Sequence, residues 1–593
     1  MEYRIFFKRF WRTLIIALLA VCFFIGTSSF IFFTQKNDFV KWSSPDETAN
    51  YVFSKLYAQE GKIAISEKYN LYVDEIIHPR SFRSDAGVIK PVSFLGIILI
   101  YGKIASWASY KILPFLTPFF GSIGIIFFYL LIKKIFGRRN AFISSFLLAS
   151  FPPYIYYTAR SMFHNVLFIS LLIIGLYFSV LIIKNKKKFF NEDNENDLME
   201  GKWNALKYAW FSKKSEIDWM KFVYSCLAGF FIGLAIITRA SELIWLIPAL
   251  IILWLFNIKK IGITKFVLFL SFLFLAILPI LRWNTILYDS PVYGGYAEMN
   301  ESISSITSSS SDLLKSTFTG QINQARDLFF QIKDNFFYFG FHAKKSAKMF
   351  YYYFVDMFPW LFWASISGFI LFFQRIKKWK RKHWAYFLSY VFISIILVLY
   401  YGSWEFYDNP DKTQTTIGNS YTRYWLPVYL GAMPFASMFI IRLTRVIARK
   451  KFYINSARIA IMIFIFFISI QFILIGSDEG LIFLNQKQKI AKTEYEKVLS
   501  LTESNSVIIT RYHDKLFFPE RKVIVGLFDN KEMVAKYAIL ANHLPLYYYN
   551  FTLPQKDIDY LNEKRLGEVG LGIEEVQKIN SDFTLYKISL TKK

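Results

Sequence analysis

Two neighbouring carboxylates and one late arginine frame the chemistry open to this sequence. Asp46-Glu47 opens an early helical stretch, and Arg423-Tyr424-Trp425-Leu426-Pro427 stands where an apolar run begins. A carboxylate can take a proton from an attacking nucleophile, and cations can stabilise a leaving phosphate as a glycosidic bond breaks. His78, Arg80, Lys90, Arg160, His164, Arg239, Glu242 and Arg282 join them if the topology puts them on the same membrane face. A charge at the bilayer centre costs about 2.5–3.5 kcal/mol on insertion scales, and less at an interface. Any single one therefore reads equally well as an interfacial anchor. The set on one face is harder to dismiss, and suits transfer from an anionic lipid headgroup.

The elements that must position these residues are membrane helices. Of 593 residues, 54% are hydrophobic and 20% aromatic, too apolar for a soluble chain of this length. The net charge of +27 would suggest nucleic acid in a soluble protein. Here the basic residues cluster in short turns between apolar runs, the positive-inside pattern, and nucleic acid is not an expected partner. The two cysteines, Cys22 and Cys226, lie within apolar segments and predict neither a disulfide framework nor a thiolate metal site.

Arg4, Lys8, Arg9 and Arg12 precede an apolar run over 13–33. Its length and the lack of a small-residue cleavage site predict an uncleaved first helix with a cytoplasmic N-terminus. Charge then decides the next stretch. If 91–107, 115–133 and 141–157 all crossed, Arg138-Arg139 and the Lys184–Lys188 cluster would fall outside. Laying 91–107 along the outer surface places both inside. The remaining crossings are read at 164–183, 219–238, 241–257, 263–281, 357–373, 385–401, 424–441 and 457–476, with Lys259-Lys260, Arg375 to Lys382 and Arg442 to Lys451 in the inner turns. This predicts a polytopic α-helical protein of about 11 crossings with its C-terminus outside, in the cell (plasma) membrane. No repeat or pair of halves signals an inverted-repeat transporter.

The domain reading is a transmembrane catalytic part over 1–476 and an extracytoplasmic soluble α/β domain over 477–593. The membrane part carries a first outer loop over 35–114, a polar cytoplasmic insert over 184–218, and an outer loop over 282–356 with a serine-rich piece from Ser302 to Ser311. In the tail, strands are predicted at 506–510, 523–525, 546–549 and 584–588, with a helix over 531–544.

The motifs resemble those of the GT-C membrane glycosyltransferases. Ser44-Pro45-Asp46-Glu47 looks like their acidic motif, and Lys90-Pro91 like their lysine-proline element. Ile135-Phe136-Gly137-Arg138-Arg139, Phe151-Pro152-Pro153 and Ala159-Arg160 follow in the same order, and Arg423-Tyr424 with Pro427 resembles the late arginine-tyrosine-proline motif. The likeness covers most of residues 10–475 and is nearest the protein O-mannosyltransferases and the lipid A aminoarabinose transferase (glycosyltransferase families 39 and 83). Each motif alone is weak; their order is the specific part.

The resemblance implies a hexosyl- or pentosyltransferase that uses a sugar on a polyprenyl phosphate, acts on the non-cytoplasmic face, and inverts the anomeric centre. The acceptor class, whether glycolipid, cell-envelope glycan or protein, is left open. Carried over to this chain, Asp46 is the general base or acceptor-orienting group, with Glu47 beside it; the competing reading of both is a helix N-cap. Lys90, Arg423 and Arg160 would hold the donor phosphate, against a reading as interfacial anchors. Tyr424, His78 and Arg80 would bind substrate, although Tyr424 also suits the aromatic belt. Related enzymes often carry an acid where this chain has His164-Asn165. No cofactor is required; a divalent cation held by His164 and His78 with a carboxylate is the alternative. Arg239 and Glu242, three apart, read as a pair on one helix face. Competing functions are an enzyme of the oligosaccharyltransferase type using a lipid diphosphate, a lipid-linked sugar flippase or exporter, and a binding module in the tail with the membrane part as anchor.

Overall fold

The computed structural model describes all residues except 1, 36–38, 184–218, 297–299, 302–336, 338–339, 375, 407, 409–410, 412–413, 477–478 and 592–593. The expected insert and the serine-rich piece therefore lie outside the described residues. Among those described, nine helices are long and apolar enough to cross a membrane, from Trp11–Thr34 to Lys451–Ile475. A further pair, Ala343–Asp356 and Pro359–Gln374, is bent by 99°. Large apolar side chains such as Leu255, Phe274 and Phe464 are exposed on these helices, as a lipid-facing surface requires. The protein is a multi-pass membrane protein.

The crossing expected over 141–157 is broken. Helix Arg138–Ala149 stops, and Pro152–Arg160 begins a second one. The cause is Pro152-Pro153: proline lacks the N–H of the helical ladder and holds its predecessor extended, and Phe151 has φ −78° and ψ 122°. Arg138 and Arg139 act on Arg12 at the start of the first piece, while Arg160 pairs with Glu47 at the end of the second. The two pieces, of 12 and 9 residues, are each too short to cross a membrane alone.

The segment expected to lie on the surface forms helix Leu95–Trp107, whose 13 residues span about 20 Å, short of the roughly 30 Å hydrocarbon core. It packs on helix Pro45–Glu60 and on the end of Trp219–Thr238. Gly96 makes that approach possible, since a Cβ there would stand 2.2 Å from the Ile237 carbonyl oxygen. Between these helices lies a small antiparallel sheet that the sequence reading lacked, with strands β1 (Ile65–Ser66), β2 (Phe82–Asp85) and β3 (Val88–Pro91) in the order β1-β3-β2.

Helix Leu481–Leu501 leads into the tail. Its five strands are β4 (Val507–Thr510), β5 (Lys522–Val525), β6 (Leu546–Phe551), β7 (Leu571–Lys578) and β8 (Phe583–Leu590), ordered β5-β4-β6-β8-β7. β4 pairs parallel with β5 and β6, while β8 is antiparallel to β6 and β7. Four strands and helix Lys531–Ala541 fall where the sequence placed them; β7 was not foreseen. Because β4 is covered on both faces, all four of its residues are buried. Val507 and Ile509 pack with Val73 and Ile77 of the first loop, and Ile508 joins the main core. The tail is thereby seated on the loop that carries the acidic motif.

Candidate active site

Pro45 opens helix Pro45–Glu60, which puts Asp46 and Glu47 in its first turn and the free N–H groups of that turn beside them. The two acids have different fates. Glu47 is 1% exposed. Its carboxylate accepts from Arg160 Nη2 at 2.7 Å and Nε at 3.2 Å, and from the Ser44 backbone N–H at 2.8 Å. Burial pushes the Glu47 carboxyl above its ordinary value, and the Arg160 guanidinium pulls the other way. Asp46 is more open, with 27% of its side chain exposed. One oxygen accepts from Ser81 Oγ at 2.8 Å and the other stands 3.8 Å from Arg423 Nη1.

Arg423 comes from the short helix Ser420–Tyr424, whose N-cap Asn419 accepts from the Tyr421 N–H. Its Nη2 donates to Ser420 Oγ at 2.9 Å, while its buried Nε has no hydrogen-bond partner among the described residues. The guanidinium lies 4.8 Å from the centre of the Phe163 ring, and that of Arg160 lies 4.9 Å from the same ring. Phe163 therefore separates an arginine neutralised by Glu47 from one with donor capacity to spare. Ser161 and Met162, just before it, hold left-handed backbone at φ 63° and 52°, fixed by Ser161 Oγ donating to the Pro114 carbonyl and by Asn50 donating to the Met162 carbonyl.

Beside Arg423, the Tyr424 ring stacks on Tyr401 at 4.6 Å, with the Arg239 guanidinium 4.6 Å from its centre. Arg239 pairs with Glu242 at 2.8 Å as the spacing foretold, and both bond to Tyr401 Oη. Trp245 donates to the same carboxylate. The remaining candidates are placed apart. Lys90 is 3.2 Å from Asp85 on the β2–β3 hairpin, its ion pair among the described residues. Arg80 is paired with Asp514 of the tail at 2.5 Å. His78 Nδ1 lies 2.9 Å from the Pro79 carbonyl oxygen. His164 Nε2 lies 3.0 Å from Ser93 Oγ, within reach of the charges of Asp46, Arg239 and Arg423. Among the described residues no group of three His, Cys, Asp or Glu side chains is placed to hold a metal ion.

Ser81, Phe163, Tyr401 and the tail's Asp514 were not singled out in the sequence. None has a distinctive local pattern, and each is recruited by the fold.

Residues 103–190 match the sequence model of the dolichyl-phosphate-mannose-protein mannosyltransferase family. No curated protein matches the chain. Among solved structures, the Archaeoglobus fulgidus oligosaccharyltransferase in complex with zinc and sulfate is similar with a TM-score of 0.50 and 11% identity, over 97% of this chain and 72% of that one. ArnT from Cupriavidus metallidurans in the apo state gives a TM-score of 0.48 and 11% identity, over 96% of this chain and 97% of that one. ArnT bound to undecaprenyl phosphate gives 0.46 and 10%, over 97% of each chain.

Proposed function

We propose that this chain, which has the fold of the GT-C membrane glycosyltransferases, moves a sugar from a polyprenyl-phosphate donor to an acceptor hydroxyl or amine at the membrane face carrying Asp46. The observation that carries the reading is the pair Asp46 and Arg423: a partly open carboxylate 3.8 Å from a mostly buried guanidinium whose Nε is unfilled among the described residues. The family match over residues 103–190 supports a lipid-phosphate donor of this kind.

In this reading the acceptor nucleophile attacks the anomeric carbon, and the bond from that carbon to the phosphate oxygen breaks. The electron pair leaves with the phosphate, whose charge Arg423 stabilises, and Asp46 takes the acceptor's proton. A single displacement inverts the anomeric centre. Glu47 holds Arg160 and the entrance of helix Pro45–Glu60 in place, so its part is positioning. Lys90 would need to leave Asp85 to reach the phosphate. The basic turns on the opposite face favour that face as cytoplasmic.

The test is a transfer assay in nanodiscs with radiolabelled polyprenyl-phosphate monosaccharides, comparing wild type with Asp46→Asn and Arg423→Ala. Release of free lipid phosphate by wild type alone supports the transferase. Donor that binds wild type and is never cleaved, with crude acceptor and with or without divalent cation, moves the flippase reading ahead.

A further inference from the structure

Ser81 holds left-handed backbone at φ 64°. A residue with a Cβ is strained there, and the conformation persists only where its surroundings fix it. From it, Ser81 Oγ donates to Asp46 Oδ1 at 2.8 Å. That bond occupies one carboxylate oxygen and leaves Oδ2 on the side of Arg423.

The tail holds both neighbours of Ser81. On one side, Arg80 donates its backbone N–H to Asp514 Oδ2 at 2.9 Å and its Nη2 to Asp514 Oδ1 at 2.5 Å. Asp514 is fully buried, so these bonds are what make its charge tolerable, and they fix the backbone directly before Ser81. A side-chain ion pair alone would suffice to dock the tail; the bond to the backbone does more. On the other side, the Phe82 ring lies 5.0 Å from Phe518 of the tail and 5.1 Å from Phe53 of helix Pro45–Glu60. Asp514 and Phe518 bracket one short turn between β4 and β5, closed by the Phe518 N–H donating to the Asp514 carbonyl at 3.3 Å. Lys41 Nζ donates to the Phe518 carbonyl at 2.6 Å and secures the far end. The Ser81 carbonyl in turn accepts from the Val92 N–H at 3.2 Å, just past β3.

We propose that Asp514 and Ser81 are positioning residues for Asp46: the tail holds Ser81 in its strained conformation, and Ser81 orients the carboxylate that takes the acceptor's proton. This rests on the transferase reading above. It gives the tail a part in turnover and none in holding the donor, since Arg423 has its own contacts with Ser420 and Phe163. Without Asp514, Ser81 relaxes to ordinary backbone, its hydroxyl leaves Oδ1, and the Asp46 carboxylate is free to rotate.

The test compares full-length wild type, Ser81→Ala, Asp514→Leu, Asp514→Asn and the double variant Ser81→Ala with Asp514→Leu in nanodiscs. The transfer assay gives kcat and the donor KM, and thermal midpoints are recorded beside them. A water-soluble carbodiimide then labels Asp46, and its rate is followed by mass spectrometry, a readout that needs no turnover. Ser81→Ala and Asp514→Leu should each lower kcat about 10–100-fold with the donor KM unchanged. The double variant should fall no further than Ser81→Ala, because the two residues act in series. The amide oxygen of Asp514→Asn can still accept the Arg80 N–H. That variant should recover most of the turnover lost in Asp514→Leu, even where its thermal midpoint drops. Asp46 should label faster in Ser81→Ala and in Asp514→Leu, by one shared factor. Additive losses in the double variant, unchanged labelling, or turnover that merely follows the thermal midpoint across the Asp514 series overturns the proposal. A wild type that never transfers sugar, with Asp46 labelling that still responds to Asp514→Leu through Ser81, overturns the transferase reading and spares the coupling.

Discussion

Arg80 and Asp514 lie 434 residues apart in sequence and meet at 2.5 Å, with the carboxylate wholly buried and the guanidinium half open to solvent. The contact is two-sided, since the Arg80 backbone N–H donates to the same carboxylate and Arg80 Nη2 also reaches the Tyr512 carbonyl. Lys522 pairs with Glu67 and Lys41 with Glu520 across the same seam. The tail is held to the first loop by paired charges around an apolar centre formed with Val73 and Ile77. Removing Arg80 would strand a buried anion. We expect Arg80→Ala to destabilise the seam by about 2–3 kcal/mol, the low end for a broken buried pair because Arg80 is partly solvated. Limited proteolysis should then release the tail sooner than in wild type; an unchanged cleavage pattern and melting point would count against this docking role.

Asp46 and Arg423 should separate in kinetics. Asp46→Asn keeps the shape and the Ser81 bond but cannot take a proton, so kcat should fall by about 10²–10⁴ with donor binding retained. Arg423→Ala should weaken donor binding itself. Arg423→Lys should restore only part of it, because a lysine cannot lie flat on Phe163 while bonding Ser420. Equal effects on binding and turnover in all three variants would contradict the division of labour.

Glu47 and Arg160 form a buried, two-pronged pair, and each single truncation leaves the other charge unmatched. Glu47→Leu should cost about 3–5 kcal/mol, and the double variant Glu47→Leu with Arg160→Leu distinctly less than the sum of the two single changes. Thermal unfolding in detergent of the four proteins gives the coupling directly. Simple additivity would mean the pair does not hold the helix entrance.

His513 should make the tail acid-sensitive. Burial is the main cause that pushes its imidazole down to about 4, and its buried Nδ1 has no hydrogen-bond partner among the described residues. The folded form therefore binds fewer protons than the unfolded form between about pH 6.5 and 4, so stability falls as pH drops through that window. The full effect is about 3 kcal/mol at roughly 1.4 kcal/mol per pH unit. Melting curves from pH 7 to 4 should show this loss, and His513→Gln should flatten it.

Much of the architecture was legible because membranes impose strong local rules. Apolar runs of about 20 residues and basic turns are read one segment at a time, and they gave the long helices and set the shorter Leu95–Trp107 apart from them. Short β-branched and apolar runs likewise marked four of the five tail strands. The broken helix at Phe151 was written in Pro152-Pro153 yet read as one span, since hydropathy sums over a window and does not register a missing N–H. Strand β7 escaped because most of it is exposed and polar, and its partner is supplied by β8.

The site divides along the same line. By itself the sequence determined which acids and arginines stand at the ends of apolar helices, because charge and hydropathy act locally and additively. Only the tertiary structure decided which acid is neutralised and which stays open. Glu47 meets Arg160, 113 positions further along the chain, Asp46 is left to Ser81 and Arg423, and Phe163 stands between the two arginines. Such choices depend on distances set by packing, and residue type and order do not encode them singly.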